Sequence, residues 1–252
     1  MKTRHLKMVR LAGLLMLYAG PGLLILCARQ HGTGPVITAV RTSVSLRIDG
    51  VLEETVWNQA RPVMLRENRS GTAVTDSSVA TRVFTCHDDS TLYIAFICND
   101  PDIWTSFQKR DDHLWEEEAV EVFIDTDDQP DDYIEIEVSP ANLLFDSYIV
   151  DPQQIDVAAT CAFDLPGIRT AVHVAGTLNA RADRDSSWTV EMALPFRDLA
   201  TARNNRIDTA TKIKVNFFRL DKSRGRAATG YAWSPTGARF HKPAAFGRLV
   251  LE

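Results

Sequence analysis

Strand-period alternation in two short segments constrains this chain more than any other feature. Across Ala119–Asp125 the sequence AVEVFID sets Val120, Val122 and Ile124 on one face of an extended strand, and Glu121, Phe123 and Asp125 on the other. Across Tyr133–Val138 the sequence YIEIEV groups Ile134, Ile136 and Val138 opposite Tyr133, Glu135 and Glu137. A helix would mix these sets, because its side chains repeat about every 3.6 residues. Each segment is therefore a strand with one apolar face and one carboxylate-bearing face.

The same device recurs along the chain. Residues 188–195 place Trp188, Val190, Met192 and Leu194 inward, and residues 79–86 and 92–98 flank a turn at His87-Asp88-Asp89-Ser90. Residues 43–48 alternate and stop at the turn dipeptide Asp49-Gly50, a helical turn follows over 52–57, and residues 212–220 and 246–251 read as closing strands. A hydrophobic fraction of 45% with 24% charged residues supplies a core and excludes a disordered chain. With no long amphipathic helix between them, many short antiparallel strands predict an all-β fold, a two-sheet antiparallel β-sandwich forming one domain over residues 41–252.

The first residues have a different character. Lys2, Arg4, Lys7 and Arg10 precede an uncharged run over residues 11–28, so residues 1–28 read as a signal peptide, or as a membrane anchor or a lipid anchor through Cys27. Residues 29–40, with Gly32, Gly34 and Pro35, read as a linker. The expectation is an exported protein of the periplasm, cell surface or extracellular space. Loss of residues 1–28 would remove four basic residues and move the net charge from −5 to −9. Such an acidic surface repels phosphate backbones and argues against a nucleic-acid partner. Cys86, Cys98 and Cys161 remain, an odd set. Hairpin pairing sets Cys86 near Leu92 and leaves Cys98 about 20 Å along the ladder, so buried free thiols are expected.

Several landmarks, in order, resemble the family 9 carbohydrate-binding modules and their relatives in the wider DOMON-like group. They are Ile48-Asp49-Gly50 with Glu53, Glu54 and Trp57; Leu92 to Phe96 with Asp100-Pro101-Asp102-Ile103; Trp115 to Asp125; and Trp188-Thr189-Val190-Glu191 with Pro195-Phe196. The tail adds Trp233-Ser234-Pro235-Thr236, Phe240-His241-Lys242-Pro243 and Phe246-Gly247-Arg248-Leu249. The resemblance implies a jelly-roll-like sandwich and an oligo- or polysaccharide ligand. It also implies a non-catalytic role beside separate glycoside hydrolases, with no cofactor required for sugar binding.

Sugars present an apolar ring face and a hydroxyl rim, which call for an aromatic plate beside polar groups. The resemblance makes Trp115 one aromatic wall and Glu121 an acceptor for hydroxyls, with Phe240 where family binders carry a second Trp. The bland alternative is a Trp packed at a loop junction beside a solvated carboxylate. Family binders also carry Arg on the strand matching Tyr133–Val138, where this chain offers Glu135 and Glu137. Arg219 could replace that cation, while His241 and Arg110 are further candidates, each with a scaffold role as its alternative. Some family members hold calcium, and Asp125, Asp127 and Asp128 would be its ligands here, against the simpler reading of a solvated hairpin tip. Two other classes stay open. A haem-binding electron-transfer protein would need ligands such as Met192 or His173 facing a pocket. A glycoside hydrolase would need a carboxylate pair across the scissile bond, and no spacing among Glu121, Glu135 and Glu137 selects an acid and a nucleophile.

Overall fold

The computed structural model describes residues 34–129, 131–200 and 207–252, and the expected export segment, residues 1–28, lies outside them. Strands dominate the described residues. Hydrogen bonding joins them into a thirteen-strand ladder that is nearly closed. One arm runs through β8 (Leu144–Ile149), β7 (Tyr133–Val138), β6 (Ala119–Asp125), β11 (Ile213–Asp221) and β13 (Gly247–Leu251) to β1 (Val36–Arg41). The other continues through β4 (Thr81–His87), β5 (Thr91–Asn99) and β10 (Ser187–Pro195) to β9 (Arg169–Ala175). Short strands β2 (Val63–Met64), β3 (Arg66–Glu67) and β12 (Thr229–Ala232) attach to β4, β12 and β11 respectively.

β1 is the hinge of this arrangement. Its first residues pair in parallel with β13, and Val40 and Arg41 then pair in parallel with β4. The expectation of all-β architecture is met, but the linker expectation fails from Val36 onward. Ile37 and Ala39 alternate inward and are buried, so Gly34 and Pro35 precede a strand rather than belong to a tether. Residues 43–48 form no strand, although Leu46 and Ile48 alternate. Their apolar side chains pack with Trp57 of α1 (Thr55–Gln59) instead of entering a ladder.

The two arms face each other across one core. Val120, Val122, Ile124, Ile134 and Ile136 meet Ile94, Phe96, Val190 and Met192, with Phe96 edge-on to Phe217 at 6.0 Å. Two buried acids tie the landmarks into this frame. Glu191 accepts from the backbone N–H groups of Asp49 (3.0 Å) and Gly50 (2.8 Å) and from Trp57 Nε1 (3.1 Å). Gly50 sits at φ +83°, where an added Cβ would lie 2.6 Å from His173 N, so both conformation and space demand glycine. Asp100 accepts from Trp188 Nε1 at 3.1 Å and from Arg219 Nη2 at 2.9 Å. Cys86 pairs opposite Tyr93, one position from the expected register, and Cys86, Cys98 and Cys161 are all free.

β6 and β7 follow the sequence reading residue for residue, yet both of their faces are buried. The face predicted to meet solvent is roofed by the connection between β8 and β9 and by the segment after β12. Ile155 and Phe240 pack there with Phe123, Tyr133, Phe218 and Phe246. That roof creates the site.

Candidate functional site

Register sets the floor. Glu121 on β6 lies directly opposite Glu137 on β7 and opposite Phe218 on β11, while Glu135 lies opposite Phe123 and Ser147. Strand parity therefore gathers three carboxyls on one face. Each offers an oxygen within 4.8 Å of the others. Above them opens a pocket of about 410 Å³ lined by Trp115, Glu121, Glu135, Phe145, Leu220, Phe240 and His241, with Ile155, Val157, Thr160 and Ala238 closing it. That volume lies in the usual range for small-ligand sites.

The aromatic walls are held from behind. Trp115, in the turn Leu114–Glu116, is half-buried. His113 stacks on it at 4.4 Å and Phe145 meets its edge at 5.1 Å. Phe240 stacks on Phe218 at 4.3 Å with planes 13° apart. His241 Nδ1 lies 2.6 Å from the Tyr133 hydroxyl, and its ring stacks on Phe123 at 5.2 Å. Burial and nearby Arg239 lower the His241 pKa to about 4, so the imidazole is neutral at physiological pH.

Exposure of the floor is where the sequence reading needs correction. Glu121, Glu135 and Glu137 are 1%, 6% and 0% exposed, so none is the solvated surface carboxylate that strand alternation alone suggests. Ser147 Oγ donates to Glu135 at 3.1 Å. Glu121 Oε1 finds no hydrogen-bond partner, while Glu137 is held against Glu135 and the Trp115 backbone. Desolvation, then the charge of Glu135, pushes the Glu121 pKa well above the carboxylate range. Desolvation followed by Glu121 and Glu135 does the same to Glu137, and desolvation raises Glu135 to about 7. Carboxyls so placed favour the protonated form until something donates to them.

Other candidates fall elsewhere. Arg219 aligns with Val120 on the core side and spends its guanidinium on Val79 O, Thr81 Oγ1, Asn99 O and Asp100 Oδ2, so it is scaffold and does not line the pocket. Arg110 is likewise engaged, clamping buried Asp146 and, at 2.7 Å, Asp164. The aspartates suggested for calcium are partly engaged by the chain itself. Asp125 Oδ1 accepts from the N–H groups of Asp127 (2.9 Å) and Asp128 (3.0 Å), and Asp128 pairs with Lys214 at 2.9 Å. Met192 is buried in the core while His173 is exposed on β9, so these two do not share a haem pocket. Trp233 is core, as expected, 5.6 Å from Phe217.

Residues 48–252 match the profile of the carbohydrate family 9 binding domain-like family. The chain belongs to this family. A Bacteroides uniformis structure inferred to bind carbohydrate superposes with a TM-score of 0.67 at 17% identity, covering 87% of this chain and all of that one. A family 9 module from Caldicellulosiruptor kristjanssonii, solved with cellotriose, gives 0.57 at 19% identity over 86% of this chain and 94% of its own. A protein of Arthroderma benhamiae named "Extracellular protein" is 28% identical over 180 residues, 68% of this chain and 78% of that one. Family membership frames what sequence reasoning missed. The roof residues Ile155, Val157 and Thr160 carry no strand period, and nothing local marks them as pocket residues. Phe145 was readable in principle from alternation with Ser147, but Asp146 at an inward position of β8 disguises that strand.

Proposed function

We propose that this family 9-like domain binds carbohydrate, with a sugar ring laid on Trp115 and opposed by Phe240, and with sugar hydroxyls bonded to Glu121. The observation that carries this reading is the meeting of a half-buried Trp115 with the unpartnered Glu121 Oε1 in one pocket of about 410 Å³. An aromatic plate suits the C–H face of a pyranose, and an orphaned buried oxygen suits its hydroxyl rim. Family membership and the cellotriose complex of the Caldicellulosiruptor module support it. In this reading the domain is an exported, non-catalytic module with residues 1–28 as its export signal or anchor. It serves polysaccharide breakdown by separate glycoside hydrolases.

Titration calorimetry against a panel of oligosaccharides, with wild type and Trp115→Ala, tests the site. Loss of stacking should weaken binding by about 1–3 kcal/mol, by analogy with bases stacked on aromatic side chains. A thermal melt of the variant separates this effect from misfolding. Equal affinity of the two folded proteins would move the site away from Trp115.

A further inference from the structure

The floor of the pocket carries more acid than a neutral sugar needs. Glu121, Glu135 and Glu137 converge to within 4.8 Å, are buried, and form no ion pair among the described residues. The nearby cations are spent elsewhere. Arg219 lies on the core side, Arg110 is clamped by Asp146 and Asp164, and Arg239 donates to Pro152 O. Glu121 lines the pocket with one oxygen unpartnered, and Glu137 stands directly behind it, held against Glu135 and the Trp115 backbone. Burying carboxyls without partners is costly, and an incoming cation would relieve that cost.

We propose that the pocket takes a saccharide unit bearing a free primary amine, its ammonium seated on Glu121 and Glu135 with Glu137 directly behind them, and its ring against Trp115. This rests on the carbohydrate reading above and names the ligand class. An ammonium has three donors, and N–H···O bonds of about 2.7–2.9 Å spread at tetrahedral angles set their acceptors roughly 4.5 Å apart. The three carboxyls each offer an oxygen within 4.8 Å of the others, inside that reach. Calcium would also tolerate the spacing, but it wants about six to eight oxygen ligands. Trp115, Phe145, Leu220 and Phe240 supply carbon on the remaining sides. That lining suits an organic body attached to the charge, and a cation close to an aromatic face gains further.

Titration calorimetry on the full chain distinguishes the cases. The probes are glucosamine oligomers, N-acetylglucosamine oligomers, cello-oligosaccharides of equal length, a simple alkyl diamine and calcium chloride. Glucosamine oligomers should bind at least tenfold more tightly than either neutral series, and Glu137→Gln should shrink that ratio below threefold. Should the variant not fold, the wild-type ratio decides alone. Cello-oligosaccharides binding as tightly as the amine form would overturn this inference while leaving carbohydrate binding intact. An unchanged ratio in folded Glu137→Gln would also overturn it, as would diamine binding as tight as the sugar amine or saturable calcium binding without saccharide. Failure of every saccharide to bind would remove both readings.

Discussion

Replacing Glu137 by Gln in the ligand-free protein exposes what the carboxyl cluster does to stability. The folded state holds protons that the unfolded chain releases, because burial raises Glu135 from 4.5 to about 7 and lifts Glu121 and Glu137 well above the usual carboxylate range. Between the unfolded and folded values the native state binds more protons, so unfolding free energy falls as pH rises through that window. For Glu135 the shift corresponds to at most about 3 kcal/mol by pH 8, a figure belonging to the coupled trio rather than to one residue. Asp125, raised by burial to about 7, and Asp146, raised by burial to about 6, act in the same direction, whereas buried His241, lowered to about 4, opposes them below about pH 6.5 and only partly offsets five acids. In a domain of this size about 1 kcal/mol moves Tm by roughly 2–4 °C, so wild type should melt several degrees lower at pH 8 than at pH 5. Gln is neutral at every pH and removes the charge directly opposite Glu121. The variant should match wild type near pH 5, exceed it near pH 8, and show a shallower slope. Scanning calorimetry after dialysis against a chelator gives both curves. A wild-type Tm that is flat or rising from pH 5 to 8, or identical slopes for the two proteins, would refute the buried-trio account.

Three further outcomes follow from contacts outside the pocket. Arg219→Met should cost about 3–5 kcal/mol in urea unfolding, because it leaves buried Asp100 and Glu118 without their cation. Glu191→Ala should cost about 3 kcal/mol and loosen the Asp49-Gly50 turn, visible as faster amide exchange at those two N–H groups and at the Trp57 indole. In native protein a thiol reagent should modify half-buried Cys161 before Cys86 or Cys98, whose thiols burial holds well above their usual range, Cys98 to about 12. Mass spectrometry of the labelled peptides reads that order directly.

β6 and β7 were legible to the residue because their alternation is strict and polar turns bound them. β10 was nearly as clear, since Trp188, Val190, Met192 and Leu194 all reach the core. Alternation misled at residues 43–48, where Leu46 and Ile48 pack beside Trp57 without a partner strand. It also hid the place of Arg219. Phe217 and Phe218 are both apolar, so neighbours do not reveal that Arg219 shares the core side with Phe217. The pocket itself was half legible. Parity put Glu121, Glu135 and Glu137 on one face, and the family resemblance added Trp115 and Phe240. Burial was not readable, because the cover over that face comes from residues 155–160 and 238–241, distant in sequence from the strands they roof.

This fold satisfies buried acids readily wherever structure alone is at stake. Asp185 accepts from the N–H groups of Ile103 (2.8 Å) and Thr177 (2.7 Å), Glu191 takes three donors, and Asp146 takes the Leu165 N–H and Arg110. Glu54, Glu118 and Asp125 each leave one oxygen unpartnered but bond the other. Glu121 instead keeps one oxygen unpartnered at the pocket, directly opposite Glu137, which lies against Glu135 and the Trp115 backbone. A chain that could pair its other buried acids had the means to pair these, or to replace them with apolar residues at little cost. Retaining them at the base of an aromatic pocket sets stability against recognition, as functional sites often do. The trio should therefore make the empty protein fragile at high pH and make the occupied protein selective, so the melting curve and the binding isotherm of Glu137→Gln must change together.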